Sequence, residues 1–520
     1  MRGTHIVTPT ARLTSCDTAS PCSRIMQTVR APAEELWRYL RLPEDAISRL
    51  RLSEDPDPIV DSSFKIGTAV QTSIGLAGLA AAHLYQLRTG VEQSVTVDAR
   101  HAALEFKSEA YYALTRESGE GFALFDPLAG IYQTKDNSYV RIHTNFPHHK
   151  QGILDILQCE PTKESIARAL LDWSAVDFET AAASRKMVAT ALRSFEQWDA
   201  HPQGQALADT PPVILCKVGD ASKRTISGKA SRPLDGIRVL DLTRVLAGPI
   251  CGRTLAAHGA DVLWITSPKL PALPMLDIDT SRGKRTTQLD LDEPTDHKTL
   301  TELVKDADVF LQAYRPGGLA AKGFGVDQVA KLRPGIVYAS LCAYGWEGPW
   351  KDRRGFDSLV QTASGFNVAE AESYAAFNGA SGPLPHPPKA LPMQALDHAA
   401  GYMLALGIQA ALHRTITEGG SWEVRVSLAA VGRWIRSLGR LEPAIAFGEG
   451  RPLPPRSMSD PEVARFTTEI MEADSRHTVG RERRTMRAVR HAAILSETPV
   501  KEADAPMRLD AHSPEWLARE

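Results

Sequence analysis

From residue 236 onward, short apolar runs alternate with longer amphipathic stretches. Residues 237–242, 260–265, 308–312 and 336–341 have the composition of buried strands, and residues 251–258, 299–306 and 326–331 predict helices between them. Strands separated by helices of this length argue for a parallel, Rossmann-like sheet, whose inner strands are apolar throughout because both faces are covered. The earlier half reads differently. Leu36, Trp37, Tyr39, Leu40 and Leu42 lie among charges and predict helix within 28–55. Residues 66–84 form an Ala/Gly-rich apolar helix, 93–98 an alternating strand and about 99–114 a second helix. Two alternating runs around a polar turn predict a hairpin over 129–142, and 147–207 reads as polar helix. Residues 219–232 are small and basic, as in a linker, and 440–520 is polar and Arg-rich, with long loops and one or two helices.

An internal echo crosses these units. Gly78 to Val97 aligns with Gly407 to Val426, an offset of 329 positions, matching helix, glycine turn (Gly90 and Gly419) and strand (Val95, Val97 and Val424, Val426). At that offset Asp397 falls on Thr68, so the earlier copy lacks the carboxylate. The chain divides into 1–65, a tail and helical segment; 66–230, a helix–strand unit with a small domain; 231–435, the Rossmann-like unit; and 436–520, a terminal segment.

Composition narrows the function classes. A chain of 520 residues can bury a large core. Its net charge of −2 gives no pull toward nucleic acid or an anionic membrane. No run of 18 apolar residues is present, so no membrane span is expected. The six cysteines have neither zinc nor disulfide spacing, which fits a reducing compartment. Arg2, His5, Arg12 and Arg24 stand against one acid, Asp17, near the start. A cytoplasmic location is therefore expected, with a mitochondrial or peroxisomal one as the alternative.

The candidate chemistry centres on Asp397, in Leu-Pro-Met-Gln-Ala-Leu-Asp-His-Ala-Ala-Gly just before an apolar helix. One reading is a helix N-cap, which Asp favours. The other is a nucleophile, its ionised form favoured by the helix end. Thr243-Arg244-Val245-Leu246-Ala247-Gly248-Pro249 runs from strand into helix without a G-x-G-x-x-G pattern, which disfavours a nicotinamide or flavin dinucleotide. Ser281-Arg282-Gly283-Lys284-Arg285 can meet phosphates or remain a solvated basic loop. Ala313-Tyr314-Arg315-Pro316-Gly317 follows a strand, and its aromatic ring can stack on a ligand. Asp357 lies in Arg353-Arg354-Gly355-Phe356-Asp357 and reads either as a second reactive carboxylate or as a partner for those arginines. His143, His148 and His149, with Asn145, lack metal spacing and read as a surface loop or a pocket wall, and no metal is expected.

The Asp397 segment, together with Pro233 to Pro249 and the Gly-Lys-Arg element, resembles the family III coenzyme A transferases. That group includes formyl-CoA and carnitine-CoA transferases and α-methylacyl-CoA racemase. The resemblance covers roughly 66–220 and 232–435. It implies an α/β fold, a Rossmann-like sheet with a smaller α+β domain. It also implies an enzyme that moves CoA between an acyl-CoA and a small carboxylic acid, with Asp397 as nucleophile and Asp357 orienting an acceptor or acting as a second carboxylate. Val245, Ala247, Arg282, Lys284, Arg285, Tyr314 and Arg315 would contact CoA, which is a substrate moiety rather than a tightly bound cofactor. Ordinary members run front half first and interlock as homodimers, whereas here a back-half-like segment comes first. A racemase or isomerase and a non-catalytic CoA-binding relative are the alternatives. Racemases of the group carry a His where Phe356 stands, and Ala313 replaces a usual Asn.

Overall fold

The computed structural model describes residues 30–115, 125–226, 229–380, 386–500 and 504–519. The basic N-terminal segment and two of the cysteines, Cys16 and Cys22, lie outside them. The fold is α/β, built on a seven-stranded sheet. Its order is Arg285–Gln288, Asp261–Thr266, Arg238–Leu242, Val309–Gln312, Val337–Cys342, Ser421–Ser427 and Ile214–Gly219. All pairings are parallel except the last. The chain starts at Arg238–Leu242, winds outward in one direction, then returns to add Val309–Gln312 on the other side. That reversal opens a crevice beyond the carboxyl ends of these two strands, where doubly wound sheets bind ligands.

Helix Ala395–Thr417 is apolar on nearly every face and buried along most of its length. A helix of that kind must be enclosed by other elements. It packs on Ala247–Ala257 from the Rossmann-like unit and on Ile66–Thr89 from the N-terminal unit. Gly401 permits the first contact, since a Cβ there would sit 2.6 Å from the Ala247 carbonyl oxygen and 2.7 Å from Ile250 Cγ2. The N-terminal unit thus supplies part of the central core, and it also contributes the antiparallel edge strand Ile214–Gly219. Residues just before the expected linker are therefore a strand, because the exposed edge at Ser421–Ser427 offers unpaired backbone groups.

At the offset of 329, Ile66–Thr89, Val95–Val97 and Ala99–Glu105 coincide with Ala395–Thr417, Ser421–Ser427 and Leu428–Ser437. Their caps coincide too: Asp98 accepts from the His101 N–H at 2.8 Å, and Ser427 from the Ala430 N–H at 3.3 Å.

Two expectations need correction. The helix expected over 99–114 stops at Glu105, and Tyr112–Leu114 is a strand. The terminal segment, expected to be loops and helices, supplies Thr467–Met471 and Thr485–Val489, and the latter pairs with Tyr112–Leu114. The two misses are linked: Tyr112–Leu114 and Thr485–Val489 pair with each other across more than 350 residues, beyond the reach of local periodicity, and Thr467–Met471 joins the far side of Thr485–Val489. The hairpin is present as Gly130–Gln133 and Tyr139–Ile142, joined by Ala189–Ala191 over a separate core that includes Ile153 and Phe178.

Candidate active site

A cleft of about 320 Å³ lies at the strand reversal. The residues after Arg238–Leu242 line it, including Val245 and Ala247, as do those after Val309–Gln312, including Tyr314 and Arg315. The first turn is tight: a Cβ on Gly248 would come 2.6 Å from Thr243 Cβ and 3.1 Å from Ala313 Cβ. Val245 has φ +75°, which is rare for a β-branched residue and costs about 1–3 kcal/mol. Such strain persists where the surroundings impose it, and here it sits on the cleft wall. Arg244, Arg315, Arg353 and Arg354 make the rim cationic.

Asp397 also lines the cleft. It is the third residue of its helix, behind the N-cap Gln394, so the N-cap reading is corrected. The capping is done by Asp357, whose Oδ2 accepts the N–H groups of Leu396 at 2.7 Å and Asp397 at 2.9 Å. Asp357 is fully buried and also accepts from Gln361 Nε2. It holds the helix end rather than facing the cleft, which makes it a positioning group for Asp397. The Asp397 carboxylate itself accepts no hydrogen bond among the described residues. Burial, then the charges of Asp357 and Glu109, push its pKa well above the usual carboxylate range. These effects outweigh the helix end, which was expected to keep it ionised.

Glu109 comes from the N-terminal unit and lies 3.0 Å from His398 Nε2 on the Asp397 helix. Its neighbour Ser108 donates to Asp279 at 2.7 Å, and Arg253 donates to the same oxygen at 2.6 Å. The two halves of the chain are thus bolted together directly behind the nucleophile candidate. At the start of helix Ile66–Thr89, Asp57 does what Asp357 does for the Asp397 helix, accepting the N–H groups of Gly67 at 2.6 Å and Thr68 at 3.2 Å. Thr68 stands where Asp397 would be and donates its hydroxyl to Asp57 at 2.6 Å.

The three cations expected at phosphates are engaged inside the protein. Lys284 is buried under the sheet end, 2.8 Å from both Asp241 Oδ2 and the Pro249 carbonyl oxygen, with its ammonium over the Trp264 ring. Arg282 pairs with Asp279 at 3.0 Å and donates to the Val489 carbonyl at 2.8 Å. Arg285 forms a bidentate pair with Asp261 at 2.9 and 3.0 Å. None of the three lines the cleft. Their carboxylate partners satisfy them, and the phosphate-loop expectation fails for that reason.

The wall facing the strand ends is made by Phe146, His148 and His149, from the start of helix Pro147–Leu157, together with Phe356. Phe356 stacks flat on His143 with ring centroids 3.9 Å apart. The histidine run was visible in the sequence, but only the fold places His148 and His149 in the cleft that Asp397 also lines.

Residues 234–468 match the family model described as CoA-transferase family III. That match spans a little under half of the chain. Among curated relatives, an acyl-CoA transferase of Gibberella moniliformis is 27% identical over 79% of this chain and 76% of its own length. An acetyl-coenzyme A transferase of Hypoxylon pulicicidum is 36% identical over 40% of this chain and 34% of its own. A crystal structure of a hypothetical protein from Mycobacterium tuberculosis is 32% identical, covering 42% of this chain and 58% of that one, with a TM-score of 0.34. Several other curated relatives are matched over about half their length. The matched region contains the strained turn, Tyr314, Asp357 and Asp397, whereas the Phe146–His149 wall lies outside it.

Proposed function

We propose that the chain moves coenzyme A between an acyl-CoA thioester and a carboxylic acid through a covalent intermediate on Asp397. One observation carries this reading: a buried carboxylate in the cleft without a protein donor on its oxygens, while its backbone N–H is fixed by Asp357. A carboxylate can hold both an acyl group, as an anhydride, and CoA, as a thioester. Asp397 attacks the thioester carbonyl and CoA leaves as thiolate. The thiolate attacks the aspartyl carbonyl, releasing the first acid and leaving an aspartyl-CoA thioester. The second acid then completes the exchange by the same two steps in reverse. Val245, Ala247, Tyr314 and Arg315 are proposed to flank CoA, with the cationic rim facing its phosphates. The match to the family and the names of its relatives support acyl-CoA chemistry. Phe356 cannot serve as a proton-transfer base, so a racemase would lack that partner on the face it lines. The same reading takes the chain as a back-half-like segment placed ahead of a front half, supported by the coincident units at offset 329.

The test is covalent. Wild type and Asp397→Asn are incubated with a panel of acyl-CoAs and trapped with hydroxylamine. A modified Asp397 peptide in wild type alone is expected. CoA binding with no adduct for any donor would sink the aspartyl mechanism.

A further inference from the structure

Arg244, Arg315, Arg353 and Arg354 line the cleft, and Asp397 is the one carboxylate among the residues that line it. Two of these cations are turned to the protein. Arg353 lies 3.4 Å from Glu179 and donates to the Ala189 carbonyl at 3.1 Å. Arg244 donates to the Pro271 carbonyl at 2.5 Å. Arg315 is exposed on the turn after strand Val309–Gln312.

Arg354 combines a fixed position with an open edge. Its Nη1 donates to the Lys186 carbonyl and, at 3.1 Å, to His149 Nε2. Its Nε and Nη2 have no partner among the described residues, and both keep accessible surface. That edge offers two parallel N–H bonds, the fork that grips an oxyanion bidentately. The backbone beneath it is clamped as well: a Cβ on Gly355 would lie 2.6 Å from Ala343 Cβ and 2.7 Å from Tyr344 Cε2. Desolvation, then the charge of Arg315, lowers the Arg354 pKa, so an anion seated here relieves both.

The place of the fork selects the kind of anion. Arg354 precedes by three residues, at most about 11 Å of chain, Asp357, which accepts the Asp397 N–H at 2.9 Å. Phe356, between them, presents an apolar ring to the cleft. A reactive carboxylate, an apolar stretch and an oxyanion fork follow one another along a single wall. The complementary molecule is a carboxyl group, a short hydrocarbon spacer and a second carboxylate.

We propose that Arg354 is the specificity-determining residue and selects a dicarboxylic acid, its Nε–Nη2 edge holding the distal carboxylate while the other carboxyl exchanges on Asp397. This rests on the transferase reading above and names its substrate class. The distal carboxylate forms and breaks no bond, so the exchange steps are unchanged. Because donor and acceptor acids pass through the same site, the fork acts on a diacid in either direction.

The test is a ratio. Acetyl-CoA serves as donor, and kcat/KM is measured for succinate against butyrate and for glutarate against pentanoate. The same CoA is used throughout, so a lost CoA contact cancels in the ratio. Wild type should favour one of the diacids by roughly tenfold or more, and Arg354→Met should abolish that preference. Arg354→Lys keeps the charge without the fork, so its ratio should lie between; it carries the test if Arg354→Met does not fold. A wild type that prefers neither diacid would overturn the inference. So would a preference that survives both substitutions, or a uniform loss for all four acids at an unchanged ratio, which marks a contact to the CoA phosphates. Either result leaves the transferase reading standing, provided that Asp397 is acylated. Absence of an Asp397 adduct with every donor would remove both.

Discussion

Asp397 is held where its negative charge is least comfortable. Its folded pKa lies above that of an unfolded aspartate, near 4, because of burial and two neighbouring carboxylates. Between those two values the folded state keeps a proton that the unfolded state has lost, so stability falls as pH rises through the window. Attack on a thioester needs the ionised form, so activity should rise over the same window. Asp397→Asn cannot ionise and should melt higher than wild type at about pH 8, with the gap closing toward about pH 4, while losing turnover. Thermal melts across pH check this, and a mutant no more stable at alkaline pH would contradict the burial argument. The position of Asp397 was legible from its flanking residues, but its state was not. Asp357, 40 residues earlier, caps the helix and contributes charge, and Glu109 arrives from 288 residues upstream of Asp397, behind His398.

Elements show the same division. Three cations in four residues of the Gly-Lys-Arg segment suggest phosphate contact, with a solvated basic loop as the alternative. The fold instead seals Lys284 against Asp241, 43 residues distant in sequence, beneath the end of strand Arg238–Leu242. Burial pushes the Asp241 carboxyl up and the Lys284 ammonium down, and their contact works against both shifts. Removing one member of such a pair strands the other charge. Lys284→Met should therefore destabilise the protein by about 3–5 kcal/mol. In urea melts the loss should appear as a lower midpoint, with CoA affinity of the folded fraction unchanged. Weakened CoA binding without loss of stability would restore the phosphate-contact reading. Long periodic elements were readable, including both long apolar helices and the parallel strands. Short strands such as Tyr112–Leu114 were not, because three residues carry too little pattern and their identity comes from the partner edge.

For the whole molecule, the N-terminal unit completes the Rossmann-like one. It gives the sheet an edge strand, covers the Asp397 helix with Ile66–Thr89 and supplies the cleft wall at Phe146–His149. The terminal segment returns to brace both units, pairing with Tyr112–Leu114 and setting Trp516 against the Rossmann-like layer, where its Nε1 donates to the Leu303 carbonyl at 3.0 Å. Residues 231–520 expressed alone should expose the apolar face of Ala395–Thr417 and aggregate. Co-expression with residues 1–230 should recover a soluble complex by size exclusion. A monodisperse, cooperatively folding 231–520 fragment would refute that dependence.

The sequence by itself determined the α/β class, the resemblance to family III transferases, the two long apolar helices and the aspartate on which the proposed chemistry turns. These depend on local periodicity, local turn chemistry and a contiguous motif. Tertiary structure alone decided which charges face the cleft and which are neutralised inside, that Asp357 caps the Asp397 helix, and that a histidine from the other half lines the same cleft as Asp397. The physical reason is that burial and hydrogen-bond partnership are properties of space. A cation's role and a carboxylate's proton are set by neighbours that the chain brings together only by folding.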